Sequence, residues 1–356
     1  MMLCKFFFIF FLSISALTAS AQSGRNKKPE TPVPTPRPRV VYLPTQTNSP
    51  IPKPQPTAAP TPKIETEDDV DVIRVDSALV PIPVSVLDAA GKAITNLKLE
   101  DFELTIDGKT AEISELFRSE TPVRLALLFD NSSSVTQARE FEKKAAVRFF
   151  RRVLRPDKDL AALFSVSTGS RLEQPLTKNS DQLVQAIENF PMPQGATALL
   201  DGIIKAADYL REVEGRRVIV IVSDGEDTIS DATFEETVRA AQAANCQIYV
   251  VKTTDFENFK KTGARRGNAN IRTLAAERRM QEIAQQTGGT VYSPVDEPEL
   301  DQAFNQISAE LSQQYILNYY PDEQIKSNDF RTISLRVKRR ENLAVRTRKG
   351  YYIAKK

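Results

Sequence analysis

The middle of the chain, from about residue 122 to residue 312, alternates wholly apolar runs with segments of helical periodicity. Residues 123–129 and 218–222 are almost continuously apolar, which is typical of strands buried on both faces of a parallel sheet. Further predicted strands cover residues 159–166, 217–223, 247–252 and 291–292. Predicted helices cover residues 135–154, 180–189, 199–213, 232–244, 272–286 and 298–311. This order predicts an α/β layer with a mostly parallel sheet covered on both faces.

The segments on either side of this layer alternate apolar and polar residues with the period of a half-buried strand. Residues 80–86 and 102–106 alternate in this way, and Asp107-Gly108 then forms a turn signal typical of a hairpin. Residues 314–320, 332–338, 344–348 and 351–353 repeat the pattern after the layer. Because isolated hairpins are marginally stable, we expect both groups to join into one β-sandwich-like domain with the α/β layer inserted between them.

The N-terminal residues have the composition of an export signal followed by a linker. Lys5, the apolar run 6–16 and Ala19-Ser20-Ala21 predict a signal peptide over residues 1–21, with an uncleaved anchor as the alternative. Residues 22–66 contain twelve prolines, and residues 22–63 carry seven basic residues against one acidic residue, which predicts an extended, disordered linker. Its charge is explained either by solvation or by electrostatic contact with an anionic membrane or cell wall.

These patterns predict five segments. They are a signal peptide (1–21), a proline-rich linker (22–66), the N-terminal part of the sandwich (67–120), the α/β domain (121–312) and the C-terminal part of the sandwich (313–356). We therefore expect a periplasmic, extracellular or cell-surface location.

Composition argues for binding rather than catalysis. The chain has no histidine, which excludes Ser-His-Asp and Cys-His catalysis and His-ligated zinc sites. Cys246 is the one cysteine after the predicted cleavage position and lies at the start of a predicted strand, so we expect a buried, inert thiol. The formal net charge is +2, and we expect no nucleic-acid binding. The expectation is that the protein is not an enzyme.

Oxygen-bearing side chains follow three predicted elements of the α/β layer. Asp130, Ser132 and Ser134 end the first apolar run, Thr197 precedes a helix, and Asp224 follows the run 218–222. Taken alone, the first cluster is more typical of a turn and helix N-cap than of a metal site. Because ligands of open α/β sheets bind outside the carboxyl ends of the strands, the three groups together favour a site for a hard cation such as Mg²⁺.

Asp-x-Ser-x-Ser over residues 130–134, Gly-x-Thr over 195–197 and Ser-Asp-Gly over 223–225 resemble the von Willebrand factor type A (VWA) domain and its metal-ion-dependent adhesion site. The layout of residues 70–354 also resembles the bacterial VWFA-related group. The resemblance implies a doubly wound fold and a Mg²⁺ site, with Mn²⁺ or Ca²⁺ as alternatives. Ser132, Ser134 and Thr197 would contact the ion, and Asp130 and Asp224 would hold its waters. Ser133 replaces the usual glycine, so we expect strain in this turn.

Two charged segments beside this site leave alternatives open. Glu226 and Asp227 are interpreted as the start of a solvated loop, or else as residues that tune the metal. Residues 253–270 are interpreted as a solvated insertion, or else as a basic lip that favours acidic partners through Lys260, Lys261, Arg265 and Arg266.

The C-terminal basic residues 338–340, 346, 348 and 349 are interpreted as exposed strand faces and edges.

The resemblance implies an exported adhesion or assembly module whose Mg²⁺ coordinates a Glu or Asp of a partner protein. Such a site leaves the ion short of anionic ligands, so that a partner carboxylate can complete its coordination. The first alternative is a metal-independent structural scaffold that acts through its sheets and proline-rich arm. A metal-assisted hydrolase is the second alternative.

Overall fold

A computed structural model describes residues 79–118, 121–136, 138–264, 270–321, 329–338 and 342–352. The predicted signal peptide and linker lie outside the described residues, as do Arg265, Arg266, Arg339 and Arg340. The strands are β1 (Val80–Leu87), β2 (Phe102–Ile106), β3 (Lys109–Ala111), β4 (Glu115–Arg118), β5 (Val123–Asp130), β6 (Leu160–Val166), β7 (Ser170–Thr177), β8 (Arg216–Ser223), β9 (Cys246–Lys252), β10 (Val291–Tyr292), β11 (Tyr315–Tyr319), β12 (Phe330–Val337), β13 (Ala344–Thr347) and β14 (Gly350–Tyr352). The helices are α1 (Arg139–Val153), α2 (Ser180–Glu188), α3 (Leu199–Leu210), α4 (Phe234–Ala243), α5 (Thr254–Thr262), α6 (Ile271–Thr287) and α7 (Glu297–Gln313).

The central sheet has six strands in the order β10-β9-β8-β5-β6-β7. All neighbouring pairs are parallel except β6 and β7, which are antiparallel. Alternate residues of β5 enter different cores: Leu125 and Leu127 pack with α1, α2 and α7, whereas Ala126 and Leu128 pack with α3, α4 and α6. This double coverage explains the continuous apolar runs and confirms the predicted α/β fold class.

Two four-stranded antiparallel sheets form a sandwich, in the orders β13-β1-β11-β4 and β14-β12-β2-β3. Each sheet combines strands from before and after the central layer, because β1 pairs with β11 and β2 pairs with β12. Their inner faces share one core that includes Ile82, Leu104 and Leu317. The predicted union of the two strand groups is therefore correct, and the Asp107-Gly108 hairpin turn connects β2 to β3 with positive φ at both residues.

The α/β layer is tied to the sandwich where the chain passes between them. Tyr315 of β11 lies opposite Arg118 of β4 in the register, so the chain enters and leaves the layer at adjacent positions. Gln314, fully buried, donates hydrogen bonds to Ser85 Oγ at 3.0 Å and to Gln247 Oε1 at 3.3 Å. One amide thus joins strand β1 of the sandwich to strand β9 of the central sheet.

Residues 254–262 form helix α5, so the interpretation of 253–270 as a solvated insertion is wrong for this part. Phe256 is buried and stacks on Phe141 of α1, with ring centroids 3.4 Å apart. Lys260 and Lys261 lie on the outer side, in the last turn of the helix. Two aromatic residues, Phe256 and Phe259, among polar neighbours are a weak periodic signal, which explains why the helix was not predicted.

The basic residues of β13 and the turn after it are less exposed than the sequence suggested. Arg348 is buried and donates a 2.8 Å hydrogen bond to the carbonyl of Pro81, and Arg346 pairs with the buried Glu310 of α7. The prediction of exposed charges is wrong for these two residues because β13 faces the α/β layer. Within the described residues, no helix has the length and apolar character needed to cross a membrane.

Candidate metal centre

Three loops converge at the carboxyl ends of the central strands. Strand β5 ends at Asp130, β8 is followed directly by Asp224, and Thr197 lies just before α3. The loops are joined by backbone hydrogen bonds, from Ser133 N–H to the Gly195 carbonyl at 3.1 Å and from Thr228 N–H to the Thr197 carbonyl at 2.9 Å. The five predicted site residues therefore lie in three loops that contact one another.

The first loop fixes one carboxylate and presents two hydroxyls. Asp130 is 1% exposed, and its Oδ1 accepts a 2.9 Å hydrogen bond from the Ser132 N–H. Its Oδ2 accepts a 2.6 Å hydrogen bond from the Ser223 hydroxyl. The hydroxyl oxygens of Ser132 and Ser134 lie 2.9 Å apart. Both oxygens of Asp130 are thus held by the protein, while the two serine hydroxyls lie side by side.

Ser133 causes no strain of the expected kind. It begins a short 3-10 turn, Ser133–Val135, and is not among the described residues with positive φ. The expectation of strain is wrong because the turn uses ordinary right-handed backbone here. The residue that requires glycine in this region is Gly195, whose φ is +80°. An added Cβ there would lie 2.6 Å from Thr168 Cγ2.

Thr197 is buried, and its backbone is fixed on both sides. Its N–H donates to Thr228 Oγ1 at 3.0 Å, and its carbonyl accepts from the Thr228 N–H. Its own hydroxyl makes no hydrogen bond within the described part of the chain, so this oxygen is available to a ligand.

Asp224 lies near Asp130 and is also buried, at 8% exposure. Its Oδ1 accepts a 2.9 Å hydrogen bond from the Glu226 N–H, and its carbonyl accepts from Thr254 Oγ1 at 3.1 Å. Burial, together with the negative charge of Asp224, raises the pKa of Asp130 from 3.8 to about 7. Two buried carboxylates of the same charge without a cationic partner are costly, and a bound cation would relieve this cost.

The donor set fits a hard divalent ion. It offers hydroxyl oxygens from Ser132, Ser134 and Thr197, backed by carboxylates that are already hydrogen-bonded, and such a set leaves room for the waters that Mg²⁺ retains. Among the described residues there is no group of three or more His, Cys, Asp or Glu side chains placed to hold a metal. A site at these loops would therefore depend on hydroxyls rather than on a cage of carboxylates.

Arg139 is a residue of this region that the sequence analysis missed. Its guanidinium is buried and donates to Asn131 Oδ1 and to the carbonyls of Phe190, at 2.8 Å, and Pro191. Arg139 thereby ties the first loop to the segment that leads to Thr197. A basic residue at the start of a helix after the Asp-x-Ser-x-Ser motif was the available signal, but its partners are distant in sequence.

The interpretation of Asp227 as a solvated loop residue is wrong, because its carboxylate caps helix α3. Its Oδ1 accepts hydrogen bonds from the N–H groups of Leu199, at 2.8 Å, and Leu200, at 3.2 Å. These are free amides of the first turn of α3, so Asp227 caps a helix from another loop. The cap fixes the start of α3 and hence the position of Thr197.

A family model described as von Willebrand factor type A domain matches residues 125–306, more than half of the chain. No curated protein matches the sequence. Similar solved structures include the PilB minor pilin from Streptococcus sanguinis, with 13% identity and a TM-score of 0.42 over 55% of this chain and 63% of that one. This chain thus covers less than two thirds of that pilin.

Two further structures are similar over parts of the chain. The conserved hypothetical protein BatB from Bacteroides thetaiotaomicron has 19% identity and a TM-score of 0.42 over 53% of this chain and 98% of that one. The pilus adhesin SpaC from Lactobacillus rhamnosus GG has 10% identity and a TM-score of 0.43 over 71% of this chain and 48% of that one. The family match extends from β5 to α7 and so covers the layer that carries the three loops.

Proposed function

Because the chain belongs to the von Willebrand factor type A domain family, we propose that it is an exported protein-binding module. Its metal centre binds Mg²⁺, and the ion accepts a Glu or Asp side chain of a partner protein. The export signal is the predicted signal peptide, residues 1–21, and the location is periplasmic or extracellular. The protein is not an enzyme under this proposal.

The observation that supports this proposal best is that the carboxylates are already hydrogen-bonded, whereas, within the described residues, the Thr197 hydroxyl is not. Asp130 accepts hydrogen bonds at both carboxylate oxygens, from Ser132 and Ser223, and under this proposal it would hold the ion's waters. The hydroxyl of Thr197 makes no hydrogen bond to any described residue. An ion held mainly by neutral hydroxyls keeps most of its positive charge and attracts an external carboxylate.

The protein's own residues supply rigidity and selectivity at this position. Ser223 and Arg139 hold the loops in place before any ligand arrives, which lowers the cost of ordering on binding. Buried Asp130 and Asp224 supply negative charge behind the ion. When bound, Mg²⁺ would supply the electrophilic position that an acidic side chain completes.

The test is a calorimetric titration of Mg²⁺ into the metal-stripped chain and its Asp130→Ala and Thr197→Ala variants. Saturable binding that both variants lose is expected. Thr110→Ala, an exposed threonine of β3, is the matched control and should bind as wild type. Binding that survives in both variants would overturn the metal centre at these residues.

The second arm adds a peptide that carries one glutamate, and the same peptide with glutamine in its place, to the Mg²⁺-loaded chain. Binding of the glutamate peptide alone, lost on chelation, is expected. If Mg²⁺ binds but neither peptide does so in a metal-dependent way, the acidic-ligand part of the proposal fails. Absence of Mg²⁺ binding with either peptide present would favour the metal-independent scaffold.

A further inference from the structure

Helices α1 and α5 bring two glutamates together under the metal centre. Phe141 of α1 stacks on Phe256 of α5, and the next residue in each helix, Glu142 and Glu257, is also buried. Glu142 is 0% exposed and Glu257 is 7% exposed. Glutamate is rarely buried without a partner, so the pair requires a physical explanation.

Most oxygens of this group lack hydrogen bonds within the described part of the chain. Neither carboxylate oxygen of Glu142 has a hydrogen-bond partner, and the same is true of Glu257 Oε1 and Thr253 Oγ1. Thr253 is 0% exposed, and its hydroxyl faces Glu142, where it acts to lower the pKa of that carboxyl. Apart from this contact between Thr253 and Glu142, the four buried oxygens have no partner among the described residues, although buried polar groups are almost always paired.

The surrounding cations do not neutralise the group. Lys261 approaches Glu257 Oε2 at 3.5 Å, but its side chain is 47% exposed. Arg139 lies close enough to interact with Glu142, yet its guanidinium nitrogens donate to Asn131 and to two backbone carbonyls. Burial and the charges of Asp130, Glu257 and Asp224 raise the pKa of Glu142 well above its ordinary value. Within the described residues, the carboxylate oxygens of Glu142 therefore have no direct cationic partner.

We propose that Glu142, Glu257 and Thr253 form a second cation site behind the metal centre. The expected ion is Ca²⁺, because a buried set of carboxylate and hydroxyl oxygens supplies ligands directly and in irregular geometry, whereas Mg²⁺ prefers to keep its waters. The site contains two carboxylates and one hydroxyl, with one glutamate from each of two helices. An ion here would join α1 to α5 and would offset the charge behind Asp130.

The experiment counts ions on the full chain. Metal-stripped protein is equilibrated with Ca²⁺ and Mg²⁺ together, and bound metal is measured by atomic emission for wild type, Glu142→Gln and Asp130→Ala. Two ions per chain are expected for wild type, with one lost in each variant, and the Glu142→Gln loss should be of Ca²⁺. One ion in wild type, or two in Glu142→Gln, would overturn the second site.

Thermal unfolding separates this site from a buried glutamic acid that is merely protonated. With Mg²⁺ already saturating, added Ca²⁺ should raise Tm for wild type and for Asp130→Ala but not for Glu142→Gln or Glu257→Gln. If Ca²⁺ shifts all four proteins equally, the second site is rejected. The two glutamate variants serve as substitutes for each other if one fails to fold.

The outcome is independent of the proposed partner binding. Failure of the first centre would remove the ion that depends on Asp130 and leave the ion that depends on Glu142. Failure of the second site would leave Mg²⁺ binding and peptide binding unchanged in Glu142→Gln. The two proposals therefore give separate results in the same set of variants.

Discussion

The hydroxyl of Ser223 donates a 2.6 Å hydrogen bond to Oδ2 of Asp130, across the parallel pair β5 and β8. The same hydroxyl oxygen accepts a 3.0 Å hydrogen bond from the Gly225 N–H. A single buried serine thus fixes the carboxylate of the first loop and the backbone of the third loop. The two halves of the proposed metal centre are thus coupled by the protein's own hydrogen bonds.

Ser223→Ala is expected to weaken Mg²⁺ binding by about 10-fold or more, since residues that orient metal ligands typically contribute this much. It should also lower the free energy of unfolding by about 1–3 kcal/mol, because Asp130 and Gly225 lose a buried partner. Calorimetric titration and urea unfolding measure the two effects. Ser312→Ala, at an exposed serine of α7, is the control and should change neither quantity. Unchanged Mg²⁺ affinity in Ser223→Ala would contradict the role assigned to this hydroxyl.

Arg139→Lys is expected to loosen the connection between the first loop and the segment before Thr197. Lysine keeps the charge but cannot donate simultaneously to Asn131, Phe190 and Pro191 in the fixed geometry of a guanidinium. We expect a loss of about 1–3 kcal/mol in the free energy of unfolding and weaker Mg²⁺ binding. Arg151→Lys, exposed on the same helix, is the matched control. A variant as stable as the control would show that Arg139 does not hold these loops.

Without metal, the protein is expected to lose stability as the pH rises from about 4 to about 7. Burial and Asp224 raise the pKa of Asp130 from 3.8 to about 7, and burial raises that of Glu257 from 4.5 to about 6. The folded protein therefore binds more protons than the unfolded chain in this window, and its free energy of unfolding falls as protons are released.

Denaturant unfolding in a chelator, at several pH values, measures this slope. Asp130→Asn should flatten the curve, and saturating Mg²⁺ should reverse it in wild type, since the ion binds the ionised form. A free energy of unfolding that rises with pH in the chelator would mean that nearby cations stabilise the ionised carboxylates in the folded protein.

Cys246 is expected to be unreactive in the folded protein. It is buried at the start of β9, as the sequence predicted, and burial raises the pKa of its thiol to about 12. In a Cys4→Ser variant, Cys246 is the one remaining thiol. This variant should not react with a thiol-specific disulfide reagent at pH 8 until denaturant is added. Rapid labelling of the native protein would show that this end of β9 opens readily.

Gly289→Ala is expected to lower the free energy of unfolding by about 3 kcal/mol or more, which is at the upper end of the usual effect of one substitution. An added Cβ would lie 1.9 Å from the carbonyl oxygen of Ile248, in the backbone of β9. Gly169→Ala is the control, because nothing lies within 4 Å of its Cβ position and its φ is not positive. Comparable unfolding midpoints for the two variants would contradict the close approach at Gly289.

The α/β layer was predictable because its strands are buried on both faces, so β5 and β8 appear in the sequence as continuous apolar runs. Strand β7 was missed because it is an edge strand with Pro175 in it and half-exposed residues along it. Nothing in the local pattern of residues 170–177 distinguishes such a strand from a polar loop.

The positions of the three loops were predictable, since each follows or precedes a recognisable element, whereas metal binding by them stays a prediction. The residues that hold these loops in place were not predictable. Arg139, Ser223 and Asp227 act through partners on other elements, and their role depends on which loops the topology brings together. Glu142 also looks, in sequence, like an ordinary polar residue of a surface helix, and only the packing of α5 against α1 buries it.

The pairing of β1 with β11 determines how the molecule would respond to tension. Val80, the first residue of β1, pairs with Tyr319, whereas Tyr315, the first residue of β11, pairs with Val84. A pull between the chain preceding β1 and the metal face would draw these antiparallel strands along their length in opposite directions. Because their hydrogen bonds run perpendicular to the strands, the five registered pairs would share the force and break together rather than one after another. Tension applied in this way would therefore load the β1–β11 pair of the sandwich in shear.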